Sequence, residues 1–101
     1  MAEAIIWEFD GVTRDDYDAV NEKLGIDPES GGGWPEGLIH HTGAEKPGGL
    51  VVFEVWESKD AQERFAGERL RPALEAAGVT TQPTRVEWLS VATSTSPGSA
   101  S

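Results

Sequence analysis

Residues 50 to 56 read Leu-Val-Val-Phe-Glu-Val-Trp, and this run restricts the fold more than any other stretch of the chain. A strand with one wet face alternates apolar and polar side chains, whereas a strand apolar on both sides is covered on both sides. Glu54 is the single polar residue in the run. A first strand predicted over Ala4 to Phe9 has the same character, with Ile5, Ile6, Trp7 and Phe9. At 101 residues the chain makes one domain, and its helical segments suffice for one side of a sheet only. A second copy of the chain is the expected cover for the other side. At roughly 25 cal/mol per Å2 of apolar area, an interface of ordinary size is strongly favourable before entropy is counted.

The remaining elements follow from caps and breakers. Asp10-Gly11 ends the first strand. Thr13 is the N-cap of a helix over Arg14 to Leu24, with Asp15 and Asp16 at its positive end and Gly25 after its last turn. Tyr17, Val20 and Leu24 share one face of that helix. Pro28, Gly31-Gly32-Gly33 and Pro35 mark a loop over 26–36. A second strand is predicted over Leu38 to Thr42, a second loop over Gly43 to Gly49, and the third strand is the run above. Ser58 caps a second helix whose Ala61, Phe65 and Leu70 face inward. Pro72 cannot sit inside a helix without losing a hydrogen bond, so a kink or break is predicted near Arg71, with a short final helix up to Ala77 and Gly78. Thr84 to Val91 forms the last strand. Residues 93–101 are Ser, Thr, Gly, Pro and Ala, a composition expected to leave a disordered tail after a domain over 1–92.

The order β-α-β-β-α-β, with right-handed crossovers, predicts a ferredoxin-like α+β domain. Its sheet has four antiparallel strands, with strands one and three in the centre and both helices on one face.

Charge and composition exclude several function classes. Acidic residues number 18 against 8 basic, a net charge of −10. That field repels phosphate backbones, so nucleic acid and anionic membrane surfaces are not expected partners. There is no cysteine, hence no disulfide, thiol nucleophile or thiolate metal site. The N-terminus lacks a basic and apolar leader and no apolar run approaches membrane-spanning length, so a cytoplasmic protein is expected. The triple glycine is not a phosphate loop, because no Gly-Lys-Ser/Thr ending and no helix follow it. The serines show no triad order with His and an acid.

Four kinds of residue can carry chemistry. Glu54 lies in a buried strand. It is either a general acid or base at a cavity wall, or the partner of Arg64, Arg69, Arg85 or a residue of the second copy. His40 and His41 are adjacent on a strand and therefore point to opposite faces, so they do not share a metal. Trp7, Trp56 and Trp88 read as core or dimer contacts, with Trp56 also a candidate ligand contact beside Phe65. Trp34, in the glycine-rich loop, is either a lid over a flat ligand or a loop anchor. Tyr17 offers the only phenol near a cavity beneath the first helix.

Val55-Trp56-Glu57-Ser58, then Phe65, then Leu70-Arg71-Pro72-Ala73-Leu74, resembles the dimeric α/β-barrel superfamily, which includes the antibiotic-biosynthesis-monooxygenase-like and stress-responsive barrel proteins. Gly37-Leu38-Ile39 followed by His41 is similar to the second strand of small members. The resemblance spans about residues 4 to 92. It implies a homodimeric α/β barrel with a ligand cavity between sheet and helices. It also implies a range of chemistries including cofactor-independent oxygenation of polycyclic phenols, polyketide cyclisation and haem degradation. Haem-degrading members carry a Trp on the second helix and a His ten residues later, where this chain has Phe65 and Glu75. Cyclising members carry a Tyr and a His six residues on, where this chain has Phe65 and Arg71. Neither mechanism is expected in its usual form. The resulting expectation is a cofactor-independent oxygenase- or cyclase-like enzyme for an apolar, aromatic small molecule. His41 and Glu54 would move the proton, and Tyr17, Trp34, Trp56 and Phe65 would contact the substrate. The alternative is a non-catalytic ligand-binding or dimerisation module.

Overall fold

The computed structural model describes residues 2–27 and 32–93. Strands β1 (Glu3–Asp10), β2 (Leu38–Lys46), β3 (Gly49–Trp56) and β4 (Arg85–Ser90) form one antiparallel sheet in the order β2-β3-β1-β4. Helix α1 (Arg14–Leu24) follows β1. After β3 come α2 (Lys59–Phe65), a π-helical segment (Ala66–Leu70) and α3 (Arg71–Ala76). This is the predicted ferredoxin-like topology with β1 and β3 in the centre. No helix among the described residues is long and apolar enough to cross a membrane.

Helix α1 begins in a complete capping box. The Thr13 hydroxyl accepts from the Asp16 amide, and the Asp16 carboxylate accepts from the Thr13 amide. It ends at Gly25 in the left-handed conformation. Arg69 reaches across from the π-helical segment and donates to the Leu24 carbonyl at 2.8 Å, which ties the two helices together at that end.

One boundary differs from expectation. The segment 43–49 is mostly strand rather than loop: β2 runs on to Lys46, and a two-residue turn at Pro47-Gly48 leads straight into β3. Gly48 has φ of 76°, which suits glycine at the second turn position after a proline. At Pro72 the expected irregularity takes the form of a π-helical turn rather than a break, and the short final helix is α3, with the proline in its first turn. The Arg71 amide bonds to the Ala66 carbonyl, five residues back. The extra residue in that turn widens the helix where a proline ring would otherwise clash with the preceding turn. The tail expected over 93–101 lies outside the described residues apart from Thr93.

Side chains of the two central strands divide between two faces. Ile5, Trp7 and Phe9 of β1, with Leu50, Val52, Glu54 and Trp56 of β3, point toward the helices. There Ile5, Ile26, Trp56 and Phe65 form one buried cluster, and Val12, Leu50 and Val52 a second. The opposite face has Ala4, Ile6, Val51, Phe53 and Val55 at its centre, with Leu89 42% exposed beside them. Its margin is charged: Lys46 pairs with Glu8 and Asp10, and Arg85 with Glu8 and Glu87. Ala4 and Val55 are buried on this face and Ile6, Val51 and Phe53 half-buried, while no helix among the described residues packs on it.

Candidate active site

The register of the β2–β3 hairpin sets His41 directly opposite Glu54. Both side chains point toward the helices, and both are almost fully buried. Glu54 Oε2 lies 2.8 Å from His41 Nδ1, and its other oxygen accepts from the Trp56 indole at 3.1 Å. An ionised carboxylate only accepts, so Nδ1 carries the hydrogen and Nε2 keeps its lone pair. Nε2 lies 2.5 Å from the hydroxyl of Tyr17, which comes down from α1 and donates to it. The four side chains therefore form one chain of hydrogen bonds, Trp56–Glu54–His41–Tyr17.

Of the partners considered for Glu54 within the chain, none of the three arginines reaches it. Arg69 is engaged with Leu24, Arg85 with Glu8 and Glu87, and Arg64 is exposed on α2. The partner of the buried carboxylate is His41. His40, on the other face, is exposed and bonds to Thr42.

Close packing holds the phenol in place. A Cβ at Gly43 would stand 2.7 Å from the Tyr17 hydroxyl oxygen, so only a hydrogen fits between β2 and the ring. Burial pushes the Tyr17 pKa above its ordinary value, with the nearby Glu54 charge adding to the effect. The Asn21 amide, one helical turn on, opposes it. The phenol thus stays protonated as the donor to His41. A linked prediction follows. Between pH 10 and the raised folded-state value, the unfolded chain has lost this proton and the folded chain has not, so stability falls as pH climbs through that window. Tyr17 is the sole tyrosine, and Tyr17→Phe is expected to flatten this alkaline loss in denaturant unfolding series; an identical alkaline slope in the variant would contradict the assignment.

Trp34 packs against the core and stands over the His41 ring, centroids 4.7 Å apart. Two spaces adjoin it. The inner cavity, about 100 Å3, lies between sheet and helices and is apolar, lined by Trp7, Val20, Leu24, Phe65, Leu70 and Leu74 among others. The outer pocket, about 320 Å3, is polar and bounded by Arg14, Thr42 and Glu45. Tyr17, Trp34, His41 and Leu50 line both. Of the residues expected to contact a ligand, Tyr17 and Trp34 line both spaces and Phe65 lines the inner one. Trp56 lines neither: it is fully buried beneath Glu54, so its expected role as a ligand contact is corrected to that of the residue that holds the carboxylate.

Asn21 was not among the residues singled out by pattern. It lines the inner cavity at 6% exposure, and its Nδ2 has no hydrogen-bond partner. The available signal was a polar residue on the inward stripe of α1, one turn after Tyr17.

No family model and no curated protein matches the chain. Solved structures do. Its fold is that of the antibiotic-biosynthesis-monooxygenase-like proteins, as expected from the motifs. A Chloroflexus aurantiacus protein assigned to the antibiotic biosynthesis monooxygenases superposes with a TM-score of 0.67 at 14% identity, over 95% of this chain and 98% of the other. SnoaB, a cofactor-independent oxygenase from Streptomyces nogalater, gives 0.61 at 14% identity, over 92% and 94%. Rv0793 from Mycobacterium tuberculosis gives 0.64 at 22% identity, over 95% and 100%.

Proposed function

We propose that the chain is a small cofactor-independent oxygenase acting on an aromatic substrate with an acidic C–H, such as a polycyclic phenol. The observation that carries this reading is the Glu54–His41–Tyr17 chain at the junction of an apolar cavity and a polar pocket. A base oriented by a carboxylate and shielded from water suits proton abstraction from carbon.

In this reading the substrate displaces the Tyr17 hydroxyl from Nε2, and His41 takes the C–H proton. The resulting carbanion adds dioxygen at the same carbon, and His41 returns its proton to the peroxide oxygen. Loss of the second hydrogen with cleavage of the O–O bond leaves a ketone and one water. A CH2 group and O2 thus become C=O and H2O, with dioxygen as the sole oxidant. The inner cavity is smaller than the ~150 Å3 that accommodates benzene in an engineered core, so a multi-ring substrate must extend into the outer pocket. SnoaB, of the same fold, is described as a cofactor-independent oxygenase, which supports the choice of chemistry. The experiment is dioxygen uptake by the purified, metal-free protein with 1,8-dihydroxyanthrone. Catalysed uptake with quinone formation is expected, and uptake at the uncatalysed rate would remove the proposal for this substrate class. A second reading, a binding module without turnover, is favoured by the occupied Nε2; it predicts saturable binding of the same compound with no uptake.

The apolar outer face is proposed to be covered by a second copy. Its centre is apolar and its margin carries both signs of charge, which makes the face complementary to itself across a two-fold axis. Light scattering is expected to give twice the 10.8 kDa of one chain, and Phe53→Glu to give the monomer. A monodisperse wild-type monomer at micromolar concentration would rule the dimer out.

A further inference from the structure

We propose that Asn21 anchors the ligand of the inner cavity by donating to an acceptor oxygen, a ketone or phenolate oxygen borne on an aromatic ring. The inference rests on reading the cavity as the ligand site and adds the chemistry that the ligand must present there.

The polar side chains around the cavity are otherwise accounted for. Glu54, His41 and Tyr17 satisfy one another, and Asp16 is engaged in the cap of α1. Asn21 is buried to 6% exposure, and its Nδ2 is the one buried side-chain polar atom without a hydrogen-bond partner among the described residues. A buried amide donor left unpaired is costly, and such exceptions call for a cause. Four residues separate Asn21 from Tyr17 on α1, so the two side chains sit one above the other on the same face. The Asn21 amide is near enough to the phenol to lower its pKa yet makes no well-formed hydrogen bond through Nδ2, and both groups border the same space next to the base.

A donor at this place selects its ligand. An apolar ring fills the cavity, and an oxygen attached to that ring meets Nδ2. The cavity volume, about 100 Å3, admits at most part of one six-membered ring with its oxygen, the remainder reaching toward the outer pocket. The same bond assists deprotonation. When a C–H next to a carbonyl gives its proton to His41 Nε2, the electron pair moves onto the carbonyl oxygen, and a hydrogen bond to that oxygen strengthens as its charge grows. Asn21 then binds the enolate more tightly than the ketone.

The test compares acetophenone with α-methylstyrene, in which CH2 replaces the carbonyl oxygen at nearly constant shape. Binding is followed by quenching of tryptophan fluorescence. Wild-type protein is expected to prefer the ketone about tenfold, the worth of one hydrogen bond to an otherwise unpaired donor, and Asn21→Leu to bind the two equally. The side-chain amide resonances of Asn21 in unaltered protein give an independent reading: the ketone shifts them and the hydrocarbon does not. Equal affinities in wild type, a preference that survives in Asn21→Leu, unmoved amide resonances, or binding of neither compound up to millimolar concentration would each overturn the proposal. His41→Ala is expected to keep the preference, since it removes the base and not the donor. A protein that shows the preference and never consumes dioxygen retains this anchor and loses the oxygenase reading.

Discussion

His41→Ala is expected to lower dioxygen uptake with 1,8-dihydroxyanthrone by about 10^2- to 10^4-fold, the usual contribution of a positioned general base. Expression and oligomeric mass should not change, because the imidazole packs against Trp34 and Tyr17 at the wall of a cavity rather than in the centre of the core. Glu54→Gln is expected to come close to the same loss with its shape unchanged. The glutamate oxygen holds the hydrogen on Nδ1 and leaves Nε2 free to accept. A carboxamide can turn its NH2 toward Nδ1, which moves the ring hydrogen to Nε2 and removes the base without displacing an atom. The double variant should lose little more than either single one, since the two side chains act as a unit. An oxygen electrode measures all three, with size exclusion as the control for assembly. Undiminished uptake in His41→Ala would strike His41 from any mechanism, and undiminished uptake in Glu54→Gln would strike the tautomer argument alone.

The site was partly legible in the sequence because Glu54 violates its surroundings. One carboxylate in an apolar run has to be satisfied by something, and His41 stood on the neighbouring strand. Their pairing is not legible when the second strand is taken to end at Thr42. Gly43, Ala44 and Glu45 have weak strand propensity, and they hid a hairpin whose turn, Pro47-Gly48, was in plain view. Counting outward from that turn pairs Lys46 with Gly49 and, five steps on, His41 with Glu54. The irregularity expected at Pro72 is present at that place, in a form that proline alone does not specify. Proline forbids a normal turn, but a π-helical turn removes the conflict without ending the helix, and tertiary packing decides between the two. Helix α1 was read correctly to the residue, because its cap, its acidic first turn and its terminal glycine all agree. The same stripe held Asn21, which a search for titratable groups passes over.

Trp56→Ala is expected to be the most destabilising single substitution in the chain, at about 3–5 kcal/mol. Three terms combine. The indole is the largest fully buried side chain, so its removal leaves a cavity that the sheet cannot collapse to fill. It packs on Ile5 and Phe65, with the Phe65 ring centroid 5.6 Å away, so the sheet and the second helix lose their joint contact. Its N–H is the second donor to Glu54, and the carboxylate left behind in the core keeps only His41. For a domain of this size each kcal/mol moves Tm by about 4–8 °C, so a drop between about 12 and 40 °C is expected in thermal scans at one fixed protein concentration. Trp88→Ala serves as the comparison. That indole is only partly buried on the edge strand, under the Lys59 ammonium, and its loss should lower Tm by less than half as much. Trp56→Phe separates the terms: it keeps most of the packing and removes the donor, so it should recover most of the stability while lowering turnover by loosening Glu54. A Trp56→Ala protein melting within a few degrees of wild type would mean that the carboxylate and the core do not depend on this indole, and the positioning role assigned to it would fall with that result.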